Sequence, residues 1–320
     1  MSAPAIPALG EKLNLLVAYT VDPPDRDDVV FGIEPGDVGV LGGQGSVSKS
    51  WFLGMLAHDL ALVGECSTMK TTLAPPKAQS VGYLSAEESL ADLQRRFHAF
   101  GSHLTSDERE RVADLVDVRS LKVSQPLLIN RNGELVQETY DQIVEFAIGK
   151  RLVILDPWLR LVRADTCDEG MMAAAITTLE QIAIKAKCAL VFSHHAGKGQ
   201  ILQGNGASPL ALKGSTVLID LPRWAAMLVR PPEKEAARRV IDRQQYRILA
   251  IEKANHVVER HIWFQRRSDG TLAYDAEQTL GPAVAKAIAS LGELPSSGRR
   301  SDDENEDRLP TLEEYARGKH

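Results

Sequence analysis

One stretch rich in glycine and serine contains a single lysine: Gly43-Gln44-Gly45-Ser46-Val47-Ser48-Lys49-Ser50. It follows the apolar run Val38 to Leu41 and precedes a segment whose apolar residues recur at helical spacing. Backbone amides between a strand and a helix N-terminus face anions, so the stretch predicts a phosphate-binding loop. In such a loop the amides of residues 45–50 cradle the phosphates of ATP. Lys49 reaches the β- and γ-phosphates, and the Ser50 hydroxyl ligates Mg²⁺.

The position of Ser48 departs from the strict phosphate-loop pattern, which has glycine there. Serine lacks the backbone freedom of glycine, so we expect either a lower nucleotide affinity or a slightly reshaped loop. The alternative interpretation is a turn of small residues between a strand and a helix that binds no phosphate.

Three carboxylates come at or shortly after the ends of apolar runs. Asp156 ends the run Leu152 to Leu155, which is where a strand delivers an acidic side chain to the water shell of Mg²⁺. Glu87 and Glu88 follow the run Val81 to Leu84, and a carboxylate there can orient and deprotonate the attacking water. The alternatives are a helix N-cap for Asp156 and an acidic helix N-terminus for the glutamate pair.

Two adjacent histidines, His194 and His195, follow the apolar run Ala189 to Phe192. Neighbouring residues on a strand point to opposite faces, so both side chains do not easily bind one metal ion. A histidine at this strand end can instead hydrogen-bond the γ-phosphate and respond to its loss.

These candidate residues need elements that bring them to one edge of a sheet. Short apolar runs alternate with longer helical segments up to about residue 195, which is typical of a parallel α/β fold. Beyond residue 220 the pattern predicts antiparallel strands, with a hairpin turn at Asp269-Gly270. The prediction is an α/β fold, a mostly parallel sheet flanked by helices with a C-terminal antiparallel β-meander.

Composition places the chain in the class of ordinary globular proteins. Its 320 residues are 44% hydrophobic, and the three cysteines are widely spaced, which suits a reducing cytoplasm. No apolar run approaches the roughly 18 residues of a membrane span, so we expect no membrane association. A net charge of -6 means that any DNA binding must come from local loops. We expect an N-terminal arm at residues 1–13, an ATPase domain at 14–280, and a C-terminal helix with an acidic disordered tail at 281–320.

Taken together, these residues resemble the RepA family of hexameric replicative helicases of plasmids and integrative elements, which are RecA-like P-loop NTPases. The resemblance covers about residues 35 to 275. Beyond the phosphate loop it rests on these segments: Leu84-Ser85-Ala86-Glu87-Glu88, Arg95 to Leu104, Val153-Ile154-Leu155-Asp156, Val191 to Gly199, Lys213 to Leu218, Arg223-Trp224 and Lys253-Ala254-Asn255. The ordered series is far more specific than any one segment.

The resemblance implies roles for individual residues. Glu87 is the catalytic base, Asp156 the acid on the magnesium side, and His194 with His195 the region that senses the γ-phosphate. Arg223 falls on the arginine finger that reaches the active site of a neighbouring subunit. The alternative is that Arg223 forms a local ion pair with Asp220.

The resemblance also implies binding sites for adenine and for DNA. Arg96 matches a residue that stacks on adenine, and the opposing position is His256, where the plasmid helicases have tyrosine. The loop at residues 198–212 corresponds to the one that lines a central channel and grips single-stranded DNA. Copies of Lys198 and Lys213 concentrate positive potential in the channel of a homo-hexamer.

The predicted function is a ring-forming, ATP-driven motor that unwinds DNA for the replication of a mobile element. Two alternatives stay open. One is an ATP-switched regulator that binds a partner without unwinding DNA, and the other is a scaffold in which Ser48 has disabled nucleotide binding.

Overall fold

The computed structural model describes residues 12–63, 70–163, 168–196, 216–254 and 260–281. In chain order its strands are β1 (Val38–Gly43), β2 (Val81–Ser85), β3 (Val116–Ser120), β4 (Leu152–Asp156), β5 (Ala189–His195), β6 (Trp224–Val229), β7 (Tyr246–Ala254), β8 (Arg260–Arg266) and β9 (Leu272–Tyr274). The helices are α1 (Leu15–Thr20), α2 (Lys49–Leu62), α3 (Leu90–Gly101), α4 (Ser106–Leu115), α5 (Gln137–Ala147), α6 (Glu169–Ala186), α7 (Val217–Asp220), α8 (Glu233–Arg239) and α9 (Ala276–Leu280).

The strands form one sheet in the order β3-β2-β4-β5-β1-β6-β7-β8-β9. Pairing is parallel from β3 through β6 and antiparallel from β6 through β9. This confirms the predicted α/β class, a mostly parallel sheet that continues into an antiparallel meander. The continuous apolar runs of β1, β2 and β4 are buried throughout, as expected for central strands covered on both faces.

Helices cover the two faces of the sheet and enclose a hydrophobic core on each side. On one face α2 buries Phe52, Leu53 and Leu56 in a cluster with β-strand side chains. On the other face α5 and α6 pack together and against the sheet. These two layers bury the central parallel strands, so the loops at their carboxyl ends leave from a packed core.

The carboxyl ends of four parallel strands, β1, β2, β4 and β5, lie side by side along one edge of the sheet, the edge formed by strand ends. Gly43 of β1 lies beside His195 of β5, and Ser85 of β2 lies beside Asp156 of β4. The phosphate loop, the glutamate pair, Asp156 and the histidines therefore leave the sheet at the same edge.

Two elements between β2 and β4 were not predicted from the sequence. Helix α4 is polar, although Thr105 and Glu108 form a capping box that marks its start. Strand β3 is the outermost strand on one side of the sheet. Buried and exposed residues do not alternate clearly along it, and none of its residues is fully buried. Neither element carries the strong apolar pattern of the central strands. No helix among the described residues is long and apolar enough to cross a membrane.

Candidate nucleotide-binding site

The phosphate loop leaves β1 at a position where only glycine fits. A Cβ atom on Gly43 would lie 2.5 Å from the carbonyl oxygen of Leu228. Further along, Ser46 and Ser48 adopt left-handed backbone conformations, with φ of 60° and 78°. A left-handed conformation costs a non-glycine residue about 1–2 kcal/mol, which is the physical reason for the glycine preference at position 48. Ser48 is the N-cap residue of α2, and its side chain makes no capping hydrogen bond.

Two arginines, one in β7 and one directly after β6, donate hydrogen bonds to carbonyl groups of this loop. The buried Arg247 of β7 donates from Nε to the Val47 carbonyl at 3.0 Å, and Arg230 donates to the Ser46 carbonyl at 3.4 Å. Burial and the nearby charges of Arg230 and Arg266 lower the pKa of Arg247 to about 10. Neither arginine was predicted from the sequence, because nothing in their local pattern relates them to a loop about 200 residues away.

Lys49 is buried at the base of the loop. Its ammonium group donates to the carbonyls of Gly43 and Gln44, both at 2.9 Å, and lies 3.3 Å from Nδ1 of His195. Burial lowers the pKa of Lys49 to about 8, and the negative charges of Asp156 and Glu87 oppose that shift. Lys49 therefore supplies the main positive charge of the phosphate loop, whose other phosphate-binding groups are backbone amides.

Asp156 is buried at the end of β4 and held in one orientation. The Tyr83 hydroxyl donates to Oδ2 at 2.5 Å, and the Ser193 hydroxyl donates to Oδ1 at 2.6 Å. The N-cap of the following 3-10 turn, Trp158–Arg160, is Pro157, so capping does not account for Asp156. Burial and the charge of Asp156 raise the pKa of Tyr83 well above its usual value, so the phenol stays a donor. Neither hydroxyl partner was predicted from the sequence.

The two glutamates after β2 lie in different surroundings. The Glu87 side chain is exposed and accepts a hydrogen bond from Arg160 Nε at 2.8 Å. Glu88 is half-buried and paired with Arg96 at 2.5 Å, and burial raises its pKa. Neither glutamate caps the next helix, because Ser89 is the N-cap of α3. Glu87 is thus the glutamate with access to solvent on the phosphate-loop edge.

Arg96 lies against the first turn of α2. Its guanidinium carbon is 5.0 Å from the centroid of the Trp51 ring, and Nη2 donates to Glu88. Its Nε and Nη1 atoms are buried and have no hydrogen-bond partner among the described residues. The structure therefore places Arg96 beside an aromatic ring of its own chain. Its role as an adenine-stacking residue stays a prediction.

The two histidines of β5 point to different partners, as strand geometry requires. His194 is fully buried, and its Nδ1 accepts a hydrogen bond from the Trp158 indole at 3.1 Å. His195 is half-buried and faces the Lys49 ammonium. Of the two, only His195 is in contact with the phosphate-loop lysine.

Arg223 lies at the opposite edge of the sheet, where the parallel strands β1 and β6 begin. Its backbone amide donates to the Val38 carbonyl, at the amino end of β1, and its side chain is exposed. The phosphate loop begins at Gly43, five residues after Val38 along β1. At ~3.3 Å per strand residue, Gly43 lies about 16 Å from Val38. Among the described residues no carboxylate forms an ion pair with Arg223, so the local pairing with Asp220 is not seen. His256, Lys198, Lys213 and the loop at 198–212 lie outside the described residues.

The residues at the phosphate-loop edge fit a magnesium nucleotide. Backbone amides and Lys49 suit phosphate oxygens, while the Ser50 hydroxyl and the Asp156 carboxylate supply the oxygen ligands that Mg²⁺ prefers. Mg²⁺ needs few protein ligands, because it keeps several waters and binds the phosphates themselves. Fold and site together define a P-loop ATPase.

Comparisons with known proteins place the chain within one family. A family model described as an AAA domain matches residues 12–200, more than half of the chain, and the chain belongs to that family. Among solved structures it is similar to a KaiC-like protein from the hyperthermophilic archaeon Pyrococcus horikoshii OT3. That match has a TM-score of 0.49 and 12% identity, and it covers 79% of this chain and 95% of the other. The flagellar accessory protein FlaH from Methanocaldococcus jannaschii is similar at a TM-score of 0.47 and 13% identity, covering 76% and 91%.

Proposed function

We propose that this chain is the motor subunit of a ring-forming, ATP-driven DNA helicase that acts in the replication of a plasmid or integrative element. The observation that carries the ring is the position of Arg223. Its exposed side chain lies at the sheet edge opposite the phosphate loop of its own chain. An arginine so placed completes an ATPase site only in a neighbouring copy.

Each proposed active site then combines residues of two chains. Lys49 and the loop amides bind the phosphates, and Ser50 with Asp156 holds the ion. Bound Mg²⁺ would neutralise part of the phosphate charge. Glu87 accepts the proton of the attacking water, which requires its carboxylate to leave Arg160. Arg223 of the neighbouring chain stabilises the charge that develops on the transferred phosphoryl group. His195, which contacts Lys49, responds to loss of the γ-phosphate.

The DNA-binding part of the proposal rests on the resemblance to the RepA family. An acidic chain binds DNA well only where its few basic residues are concentrated. In a ring, copies of Lys198 in the 198–212 loop and of Lys213 directly after it meet in one channel, which reconciles a net charge of -6 with DNA binding.

An ATP-switched regulator is the second candidate, and the glutamates favour it. Both Glu87 and Glu88 are paired with arginines, so neither carboxylate can accept a proton from water until its arginine releases it. A protein that holds ATP for long periods suits a switch better than a motor.

The deciding experiment measures ATP hydrolysis and strand separation of a forked duplex, with and without single-stranded DNA, together with the particle mass. A helicase is expected to form a ring whose hydrolysis is stimulated by DNA. Hydrolysis that DNA leaves unchanged, with no strand separation, would favour the regulator. Lys49→Ala serves as the control, because its loss leaves the phosphate charge uncompensated and should abolish ATP binding. Wild-type protein that binds no nucleotide would favour the scaffold.

A further inference from the structure

The segment from Leu13 to Val21 exposes most of its large apolar side chains. Six large apolar side chains in these nine residues are 50 to 77% exposed: Leu13, Leu15, Leu16, Val17, Tyr19 and Val21. Helix α1 lies within the segment and has no buried residue. Soluble proteins rarely expose a contiguous apolar patch unless another molecule covers it.

Helix α1 is too short to be stable without a packing partner. It has six residues, capped by the Asn14 side chain, which accepts hydrogen bonds from the amides of Leu16 and Val17. Isolated helices shorter than about 12 residues are marginal in water. An apolar helix of this length therefore forms against another surface, and its own chain does not provide that surface among the described residues.

The connection between α1 and the body of the protein acts as a spacer. Asp22, Pro23, Pro24 and Asp25 are exposed, and residues before proline favour an extended backbone. The far end is fixed by ion pairs from Arg26 to Glu34 and from Asp27 to Arg151. Residues 21–25 therefore span about 15 Å at ~3.1 Å per residue, enough to hold α1 away from its own core and against an adjacent molecule.

The same chain offers an apolar cavity of about 650 Å³ between α2, α3, α4 and β3. Its walls include Phe97, Leu104, Val112, Val116 and Val118, with the buried His58 among them. Burial lowers the pKa of His58 to about 4, so the cavity has a neutral wall at physiological pH.

Charge distinguishes the possible occupants of this cavity. Its lining also contains Arg109, which carries a positive charge. The spacer behind α1 carries Asp22 and Asp25, neither of which forms an ion pair within the part of the chain that is described. The acidic spacer thus complements the positive charge of Arg109 in the cavity lining. It opposes binding to an anionic membrane, where interfacial helices carry basic residues instead.

We propose that α1 of one copy of this chain inserts its apolar side chains into the α3–α4 cavity of the next copy. The contact is heterologous, since the arm of each chain occupies the cavity of another, and such contacts close into rings when the rotation allows. It does not depend on DNA binding or on hydrolysis, so it is tested separately from the proposed function.

Sizing of two single variants tests whether the exposed arm drives assembly. Leu16→Asp places a charge in the apolar face and should raise the protein concentration needed for assembly by about tenfold or more, because a buried leucine is worth at least that much. Val123→Asp is the matched control, since Val123 is 97% exposed and lies outside both the arm and the cavity. Both variants should retain ATP binding. Wild-type assembly by Leu16→Asp would overturn the proposal.

Photo-crosslinking identifies the surface that receives the arm. A benzophenone amino acid in place of Tyr19 is mixed with isotopically labelled wild-type chain, and the cross-linked peptides are identified by mass spectrometry. Cross-links to labelled peptides within residues 97–118 are expected. Cross-links confined to the same chain, or to another region of the labelled chain, would overturn the proposal. So would binding of wild-type protein, but not Leu16→Asp, to anionic vesicles.

Discussion

Glu87 and Glu88 are adjacent in sequence, but their side chains face different partners. Glu88 is half-buried against Arg96, and Glu87 is exposed and contacts Arg160, also exposed. A general base needs access to water and a carboxylate that its partner can release. The exposed pair meets that need better, since exposed ion pairs are worth only about 0–1 kcal/mol.

Glu87→Gln should therefore keep ATP bound while slowing hydrolysis by about 10²-fold or more, because general-base assistance is typically worth that much. Glu88→Gln is the matched control and should slow hydrolysis far less. ATP binding and steady-state hydrolysis of both variants are measured together. If Glu88→Gln is the crippling change and Glu87→Gln is mild, the base is misassigned by one residue.

At the scale of elements, the β8–β9 hairpin packs against the start of α2. Gly270 in the hairpin turn has φ of 96°, and a Cβ atom there would lie 2.7 Å from the Trp51 ring. Trp51 follows Ser50 directly and supports Arg96. The antiparallel meander thus packs against the first turn of α2, the helix that begins at the phosphate loop.

Gly270→Ala should lower the free energy of unfolding by about 2–4 kcal/mol, combining backbone strain with overpacking against Trp51. Gly149→Ala separates the two effects, because Gly149 has a similar positive φ of 80° but no atom within 4 Å of its Cβ position. It should cost only the backbone part, about 1 kcal/mol. Urea unfolding of the two variants measures the difference. Equal losses would show that Trp51 does not constrain the turn.

At the scale of the whole molecule, Arg223 and Lys49 lie at opposite edges of the sheet. One chain therefore cannot bring both to one nucleotide, whereas two neighbouring chains in a ring can. This geometry makes the ATPase site a property of the assembly in the proposed function.

Arg223→Ala should fold and bind ATP but hydrolyse it about 10³-fold more slowly, the usual effect of losing an arginine finger. Mixing it with Lys49→Ala should restore part of the activity, since a mixed interface contains an intact lysine from one chain and an intact arginine from the next. Hydrolysis is followed across mixing ratios, with mixed particles verified by mass. Mixed rings that never regain activity would rule out the trans role.

Local patterns in the sequence were sufficient to predict the fold class and the central strands. Strand β4 was predicted at Leu152–Asp156, where it is observed, because a continuous apolar run ending in a polar residue is typical of a central parallel strand. The phosphate loop was predictable because glycine, lysine and hydroxyl residues lie close together in one turn. Helix α4 and strand β3 were missed because a polar helix and a half-buried edge strand lack that apolar pattern.

Only the tertiary structure decided which side chains support the candidate residues. Tyr83 and Ser193 orient Asp156 from strands on either side of β4, and Arg247 holds the phosphate loop from β7. Such partners are 37 to 200 residues apart in sequence, and strand order determines whether they meet. Strand order follows from how both faces of the sheet pack against their helices. That packing is a property of the whole chain, and no local pattern of residues encodes it.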